Sequence, residues 1–417
     1  MQRVDERYLR PILSTGPAYY TVVGVLLAVL GWGLYAYARQ LSQGLGVTGM
    51  NTPTYWGIYI VNFVFFVGLS AGGVIVASLV HAFNVRAFTS VARIAELLAI
   101  SCLILATIFI LLDLGKPGRF YYLLVYGRLG SPLIWDVIVI GVYLLVGLAY
   151  GYFGARADLL TCMQALPRRR WLYQLLALGY TDGSERALRR DRRILRGLAI
   201  VALPLAVTLH SVTAWILGLV KAQPGWFSPL LAPLFVVSAT VSGVALVILV
   251  VVLCRRLLNL AIEARVVTQL GMFLALLIPV LGYFLFSELL TVTFAKEPAG
   301  LHVFGMMVAG QYALVFWVNL VLGLLVPLIL LVVPKTRTES GIGVAAALVV
   351  LGVLAERWNI VITSLFHRNL PYPPGSYALT WVEYSLVFGV YALGVLVFML
   401  LAKLFPLVEM EQEPRTS

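Results

Sequence analysis

Hydrophobic residues run along this chain in long uninterrupted blocks, separated by short breaks rich in charge, glycine or proline. Ten blocks are long enough to cross a bilayer: approximately 19–37, 55–83, 91–112, 132–154, 196–220, 231–255, 266–293, 311–333, 341–363 and 383–405. Each holds about 19 residues or more, enough for a helix through a ~30 Å hydrocarbon core. The period-two alternation of a membrane barrel is absent, and an open sheet would leave backbone groups unpaired in lipid. The pattern predicts an all-α integral membrane protein of about ten transmembrane helices.

Composition strengthens this reading. Only 12% of the 417 residues are charged and 61% are hydrophobic, whereas soluble domains carry about a quarter charged residues. The net charge of +12 does not point to nucleic acid, because the arginines gather in loops, as the positive-inside rule requires. With the N-terminus inside, 22 of the 30 Lys and Arg fall on the inner side, seven outside, and Arg357 within a span. That split places both termini in the cytoplasm. The charged start MQRVDERYLRP precedes a full-length apolar block with no small-residue cleavage site, so the first segment reads as a retained helix. Cys102, Cys162 and Cys254 are widely separated and form no CxxC or CxxCH spacing, so this chain alone builds no iron–sulfur or c-type haem site.

The outer loops become 38–54, 113–131, 221–230, 294–310 and 364–382, and they hold the proline-, glycine- and aromatic-rich sequences. Function is expected there, since binding residues favour loops held by a rigid scaffold. The long inner connector 155–195 is rich in arginine, which suits anionic lipid headgroups. SPLIWDV at 131–137 and SPLLAPLFVV at 228–237 both open an outside-to-inside helix. Internal duplication and chance resemblance both account for that pair.

Ionisable groups inside spans are costly, so each is a candidate for function. Asp113, Asp136, Glu288, Glu356 and Glu383 cluster toward the outer half, where proton acceptors would be useful, and Glu96 lies near the inner boundary. Each also has a structural reading. Asp136 could cap a helix, and Asp113 could pair with Lys116 or Arg119. Glu96 could pair with Arg93 at i, i+3. Glu356 and Arg357 could pair across helices but are expected to point to different faces. His210 is a mid-span imidazole, either a proton relay or a packing residue. His81 and His210 lie at different depths, so no haem pair is expected in this chain. Asn62 could meet a ligand carbonyl or bond between helices. Tyr121, Tyr122, Tyr126, Trp135, Trp226, Trp358 and Trp381 suit an interfacial aromatic belt, and the same residues would suit a flat ring ligand.

The connector DLGKPGRFYYLLVYGRLGSPLIWD (113–136) concentrates these features. Taken in order, YWGIYIVNFVFFVGLSAGG, ARIAELLAI, DLGKPGRF, SPLIWD, LHSVTAWILGL, GYFLFSELLT and ERWNIVITSL resemble the NrfD/PsrC family, in its ten-helix branch. The likeness covers about 50–405. These are membrane subunits of polysulfide, nitrite and related respiratory reductases, and the branch includes hydrogenase-, sulfite-reductase-associated and alternative complex III members. The resemblance implies a prokaryotic cell membrane and two four-helix bundles, helices 2–5 and 6–9, flanked by helices 1 and 10. It implies a menaquinone or ubiquinone site near the outer surface of the first bundle; on its own histidines and cysteines, no haem or metal is expected in this chain. It also implies a ferredoxin-like iron–sulfur subunit outside, and a further catalytic subunit of molybdopterin, hydrogenase or multihaem cytochrome type.

By resemblance, Asp113 and Asp136 are the proton-accepting candidates, and Asn62, Arg119, Tyr122 and Trp135 the quinone-binding ones. Glu96, His210, Glu288 and Glu356 are candidates for a proton path. Some members carry a histidine near the GLSAGG motif; here Ser70 and Ala71 stand in it. The expected divisions are 1–54 (leading segment and first helix), 55–220 (first bundle), 221–363 (second bundle) and 364–417 (last loop, helix and tail). A secondary transporter, or a membrane anchor without a quinone site, are the competing readings.

Overall fold

The computed structural model describes residues 11–13, 15–260, 262–367 and 376–408. Arg3, Arg7, Arg10, Arg368 and Arg415, and most of the LPYPPGS sequence expected in an outer loop, lie outside the described residues. The protein is all-helical at 81% helix, with no strand among the described residues. Among the described residues, ten helices are long and apolar enough to span: α1 Pro17–Gln43, α2 Ile58–His81, α3 Arg86–Asp113, α4 Pro132–Ala165, α5 Glu185–Gly218, α6 Leu231–Leu258, α7 Ala264–Ala295, α8 Ala313–Val332, α9 Glu339–Phe366 and α10 Trp381–Leu404. The chain is a multi-pass membrane protein.

The ends of these helices follow from local chemistry. Pro132 opens α4, where its missing N–H costs nothing. Ser184 caps α5 by accepting from Ala187 N at 3.3 Å, and Thr338 caps α9 by accepting from Gly341 N at 3.1 Å. Thr380 and Glu383 form a reciprocal capping box at the start of α10. The apolar 298–309 stretch, expected as part of a loop, is a helix (Pro298–Ala309) started by its own proline.

α2 is the centre of the molecule, with 89% of its most apolar window buried, whereas α1, α4, α7 and α8 are at most 28% buried and offer apolar faces to lipid. α2 packs on α3 and α5, α3 on α4, and α4 on α5. α6 packs on α7 and α9, and α8 on α7 and α9. α2 and α5 also meet α6, while α1 pairs with α10, which leans on α3. At the α2–α6 crossing Gly72 faces Gly243 so closely that a Cβ on Gly72 would sit 2.1 Å from the Gly243 carbonyl carbon. Small residues at such crossings let helix backbones approach without a hydrophobic driving force.

α4 and α5 differ from the expected lengths. Each has 34 residues, about 51 Å, well beyond the bilayer core. The connector expected over 155–195 is therefore largely helical. Arginine is a good helix former, so the charge that ends the hydropathy signal does not end the helix.

Candidate functional site

The ends of α1–α5 and α10 nearest the 113–136 connector hold three of the carboxylates singled out by sequence, Asp113, Asp136 and Glu383. Asp113 closes α3. Beneath it, the Tyr59 hydroxyl on α2 donates to Gln40 Oε1 on α1 at 2.7 Å, and Gln40 Nε2 donates to the Leu112 carbonyl at 2.8 Å. The carboxylates of Asp113 and Glu383 both lie near the Tyr59 ring hydroxyl. Asp113 Oδ1 is buried and has no hydrogen-bond partner among the described residues, neither Lys116 nor Arg119 reaching it. A buried acceptor left open in this way normally marks a missing water, ion or ligand.

Asp136 is 3% exposed. It is the fifth residue of α4, not its N-cap; Ser131 occupies that position. Its Oδ1 accepts from the Thr213 hydroxyl of α5 at 2.6 Å, and Thr213 bonds as well to the Leu209 carbonyl. The 114–131 connector between the two acids is folded into a short turn, Pro117–Arg119, and a single-turn helix, Tyr122–Val125. Gly115 takes φ +64° there, a conformation that favours glycine. Arg119 is exposed, Tyr122 stacks edge-on with Tyr121 and Tyr126, and the Trp135 indole N–H donates to Leu129 O at 2.5 Å.

Asn62 lies one turn below Tyr59, and its amide is engaged at both ends. Nδ2 donates to the Ile58 carbonyl and Oδ1 accepts from the Tyr391 hydroxyl at 2.7 Å. Glu383 accepts from Tyr377 at 2.5 Å and from the Gly49 and Thr380 amides. It ties the segment after α1 to the one before α10. Burial, and then the Glu383 charge, push the Tyr377 phenol well above its ordinary value, so it remains a donor.

The remaining acids fall in separate clusters. Glu288 accepts from Ser228 at 2.7 Å. Glu356 accepts from Ser238 and, against expectation, comes 3.9 Å from the guanidinium of its neighbour Arg357. Adjacent positions face apart on a helix, but an arginine long enough to fold over the Phe235 ring (4.2 Å) reaches back. Glu356 Oε1 and the Arg357 Nε and Nη1 have no hydrogen-bond partner among the described residues. The His210 ring nitrogens face the Ala206 and Val67 carbonyls at 2.6 and 3.2 Å.

Near the arginine-rich end, Arg93 reaches Glu96 (2.7 Å), Asp158 (3.0 Å) and the Gly154 carbonyl (2.5 Å), and His81 lies 3.7 Å from Glu96. The expected Arg93–Glu96 pair is thus present, within a larger network. A pocket beside it is lined by Val74, Glu96, Ile100, Leu103, Tyr143 and Tyr150. Trp226, expected in the aromatic belt, is instead 2% exposed, donates to Ile360 O and stacks on Trp56.

Gln40, Tyr59, Thr213, Tyr377 and Tyr391 were not singled out by sequence. Apart from the Thr213 bond to Leu209 within its own helix, their side-chain partners lie from 6 to 329 residues away, and a Thr or Tyr in an apolar block carries no mark of its own.

A family model described as polysulphide reductase, NrfD, matches residues 46–367. The chain belongs to the NrfD family. Among similar NrfD-type proteins, one of Halobacterium salinarum, provisionally named as the membrane subunit of a dimethyl sulfoxide reductase, is 34% identical over 97% of this chain and 95% of its own. A selenate reductase subunit of Mesobacillus selenatarsenatis is 27% identical over 95% of each chain. An Archaeoglobus fulgidus protein named Hdr-like menaquinol oxidoreductase integral membrane subunit is 28% identical over 94% of each.

Proposed function

We propose that this NrfD-family chain is the quinone-reactive membrane subunit of a respiratory oxidoreductase, exchanging electrons between the membrane quinone pool and an iron–sulfur subunit docked on its outer face. The observation that carries this reading is the pair of outer carboxylates, Asp136 buried and held by Thr213, and Asp113 with an open buried oxygen. The names of similar proteins, one a menaquinol oxidoreductase subunit, support menaquinol as the substrate class. A separate catalytic partner completes the complex, as the reductase names of the other relatives suggest.

In this reading helices α2–α5 and α6–α9 form two bundles, with α1 and α10 as flanks, and both termini lie in the cytoplasm. The packing order α2–α3–α4–α5 and α6–α7–α8–α9 is consistent with that grouping. The 114–131 connector covers the outer mouth of the first bundle, with Arg119, Tyr122 and Trp135 at its rim and Asn62 in its wall. Quinol oxidation gives up two electrons and two protons. The electrons leave to the iron–sulfur partner. Asp136 is placed to accept one proton while the Thr213 hydroxyl keeps its carboxylate oriented, and Asp113 is placed to accept the other. Glu96, His210, Glu288 and Glu356 sit in separate polar clusters along the bundles. A proton path through them would need bridging water, for which the unpartnered Glu356 and Arg357 atoms give polar anchorage.

The test is quinol-linked turnover of the purified complex carrying Asp136→Asn or Asp113→Asn. Loss of a positioned proton acceptor is expected to lower turnover by about a hundredfold or more. Unchanged turnover in both variants would refute the assignment.

A further inference from the structure

The arginine-rich end of the molecule carries a second surface. Twenty residues of α4 lead from Pro132 to Tyr152, about 30 Å along the axis, so Tyr152 stands where the apolar core ends. The chain continues past the boundary to Ala165, turns at Pro167–Arg169 and comes back as the helix Arg170–Leu176. The returning segment is fastened at the depth of the boundary. The Tyr152 hydroxyl donates to the Ala177 carbonyl at 3.0 Å, and the Arg156 guanidinium covers the Tyr180 ring at 3.4 Å while pairing with Asp191 at 3.1 Å.

One face of this helix is buried through Tyr173 and Ala177, in a small core with Ile12, Leu159 and Cys162. The other face carries Trp171 and Leu175 at i and i+4, and Leu178 follows just past the helix end with φ +51°; the three are 68%, 65% and 77% exposed. Leu178 follows the Ala177 carbonyl held by Tyr152, so the stripe begins where the exposed apolar face of α4, with Leu145 and Leu148, reaches the boundary. Around it stand nine exposed arginines between Arg168 and Arg196, against the exposed acids Asp182 and Glu185.

We propose that this segment is a platform for anionic phospholipid headgroups. Trp171, Leu175 and Leu178 seat among the acyl chains at the membrane boundary, and Arg168, Arg169 and Arg170 hold the phosphates beside them. An amphipathic helix with a basic rim lies in the interface in this way. The depth set by Tyr152 and the continuity with the lipid-facing side of α4 favour lipid over a soluble protein partner. A protein docking from the aqueous side would meet the arginines before the apolar stripe.

The test uses the full chain in its complex, in nanodiscs of mixed phosphatidylglycerol and phosphatidylcholine. Lipid retained after mild delipidation is expected to be enriched in phosphatidylglycerol. In Arg168→Gln/Arg169→Gln/Arg170→Gln the enrichment is expected to fall at least about fivefold, the contribution of one surface arginine. Independently, the fluorescence difference between the unaltered chain and Trp171→Phe reports Trp171 alone. It is expected to be quenched by brominated acyl chains. Unchanged enrichment in the triple variant overturns the proposal. So does a Trp171 signal quenched by aqueous iodide and not by brominated lipid, or one shielded from both, which would mean a protein covers the stripe.

Discussion

Replacing Arg93 by leucine should cost more than any other single change at the arginine-rich end of the bundle. Arg93 is 2% exposed, and its guanidinium serves two carboxylates, Glu96 at 2.7 Å and Asp158 at 3.0 Å, themselves 3% and 4% exposed. The loss is not the worth of two ion pairs, because desolvation already offsets much of their attraction. It is the penalty of leaving two buried charges without their cation, about 3–5 kcal/mol. That corresponds to roughly a hundred- to several-thousand-fold in the unfolding equilibrium at 25 °C. The buried thiols of Cys102, Cys162 and Cys254 supply the assay. A thiol-reactive dye labels them only as the protein opens, and heating then reports stability in detergent. Arg93→Leu should unfold many degrees early. Arg93→Leu/Glu96→Gln/Asp158→Asn, which removes the uncompensated charge, should recover more than half of the loss. If Arg93→Leu costs less than about 1 kcal/mol, the network is not the buried ionic unit described. If the neutralised triple variant is no better than the single one, buried charge is the wrong cause.

Two further changes test the packing. Gly72→Leu should abolish the close α2–α6 crossing, because the new Cβ meets backbone of Gly243 that cannot move aside. The cost should exceed the usual ~1–3 kcal/mol of overpacking, so the variant should be lost from the folded peak in size-exclusion chromatography; a normal elution and melting curve would refute the crossing. Asn62→Ala and Tyr391→Phe delete the same 2.7 Å hydrogen bond. Each should cost about 1 kcal/mol, and the double variant little more; a rise in quinol KM for Asn62→Ala alone would show that Asn62 touches substrate.

The ten spans were readable because lipid demands continuous apolar helices, and nothing in the chain competes with that demand. The extensions of α4 and α5 at their arginine-rich ends were not, since Arg156 and the arginines of 186–196 end the apolar signal while remaining compatible with helix. Asp113, Asp136, Glu96 and Glu356 were readable as costly groups within spans. What surrounds them was not. The Thr213 hydroxyl that holds Asp136 is 77 residues away, and the Gln40–Tyr59–Leu112 chain joins three helices. Such pairings are set by which helix faces meet, which one-dimensional periodicity does not encode. Local rules failed in two places for physical reasons. Asp136 lies one turn inside α4 and turns to a neighbouring helix instead of capping its own. Arg357 is long enough to fold back toward Glu356, so adjacency did not keep them apart.

If the outer mouth of the first bundle, beneath residues 113–136, receives a quinone, a reactive quinone should mark it. Photolabelling of the purified complex with an azidoquinone, followed by peptide mapping, tests this most directly. Crosslinks are expected on the 113–136 connector and the outer half of α2, suppressed by excess unlabelled quinone. Labelling confined to other helices, or labelling that excess quinone does not suppress, would contradict a quinone site there.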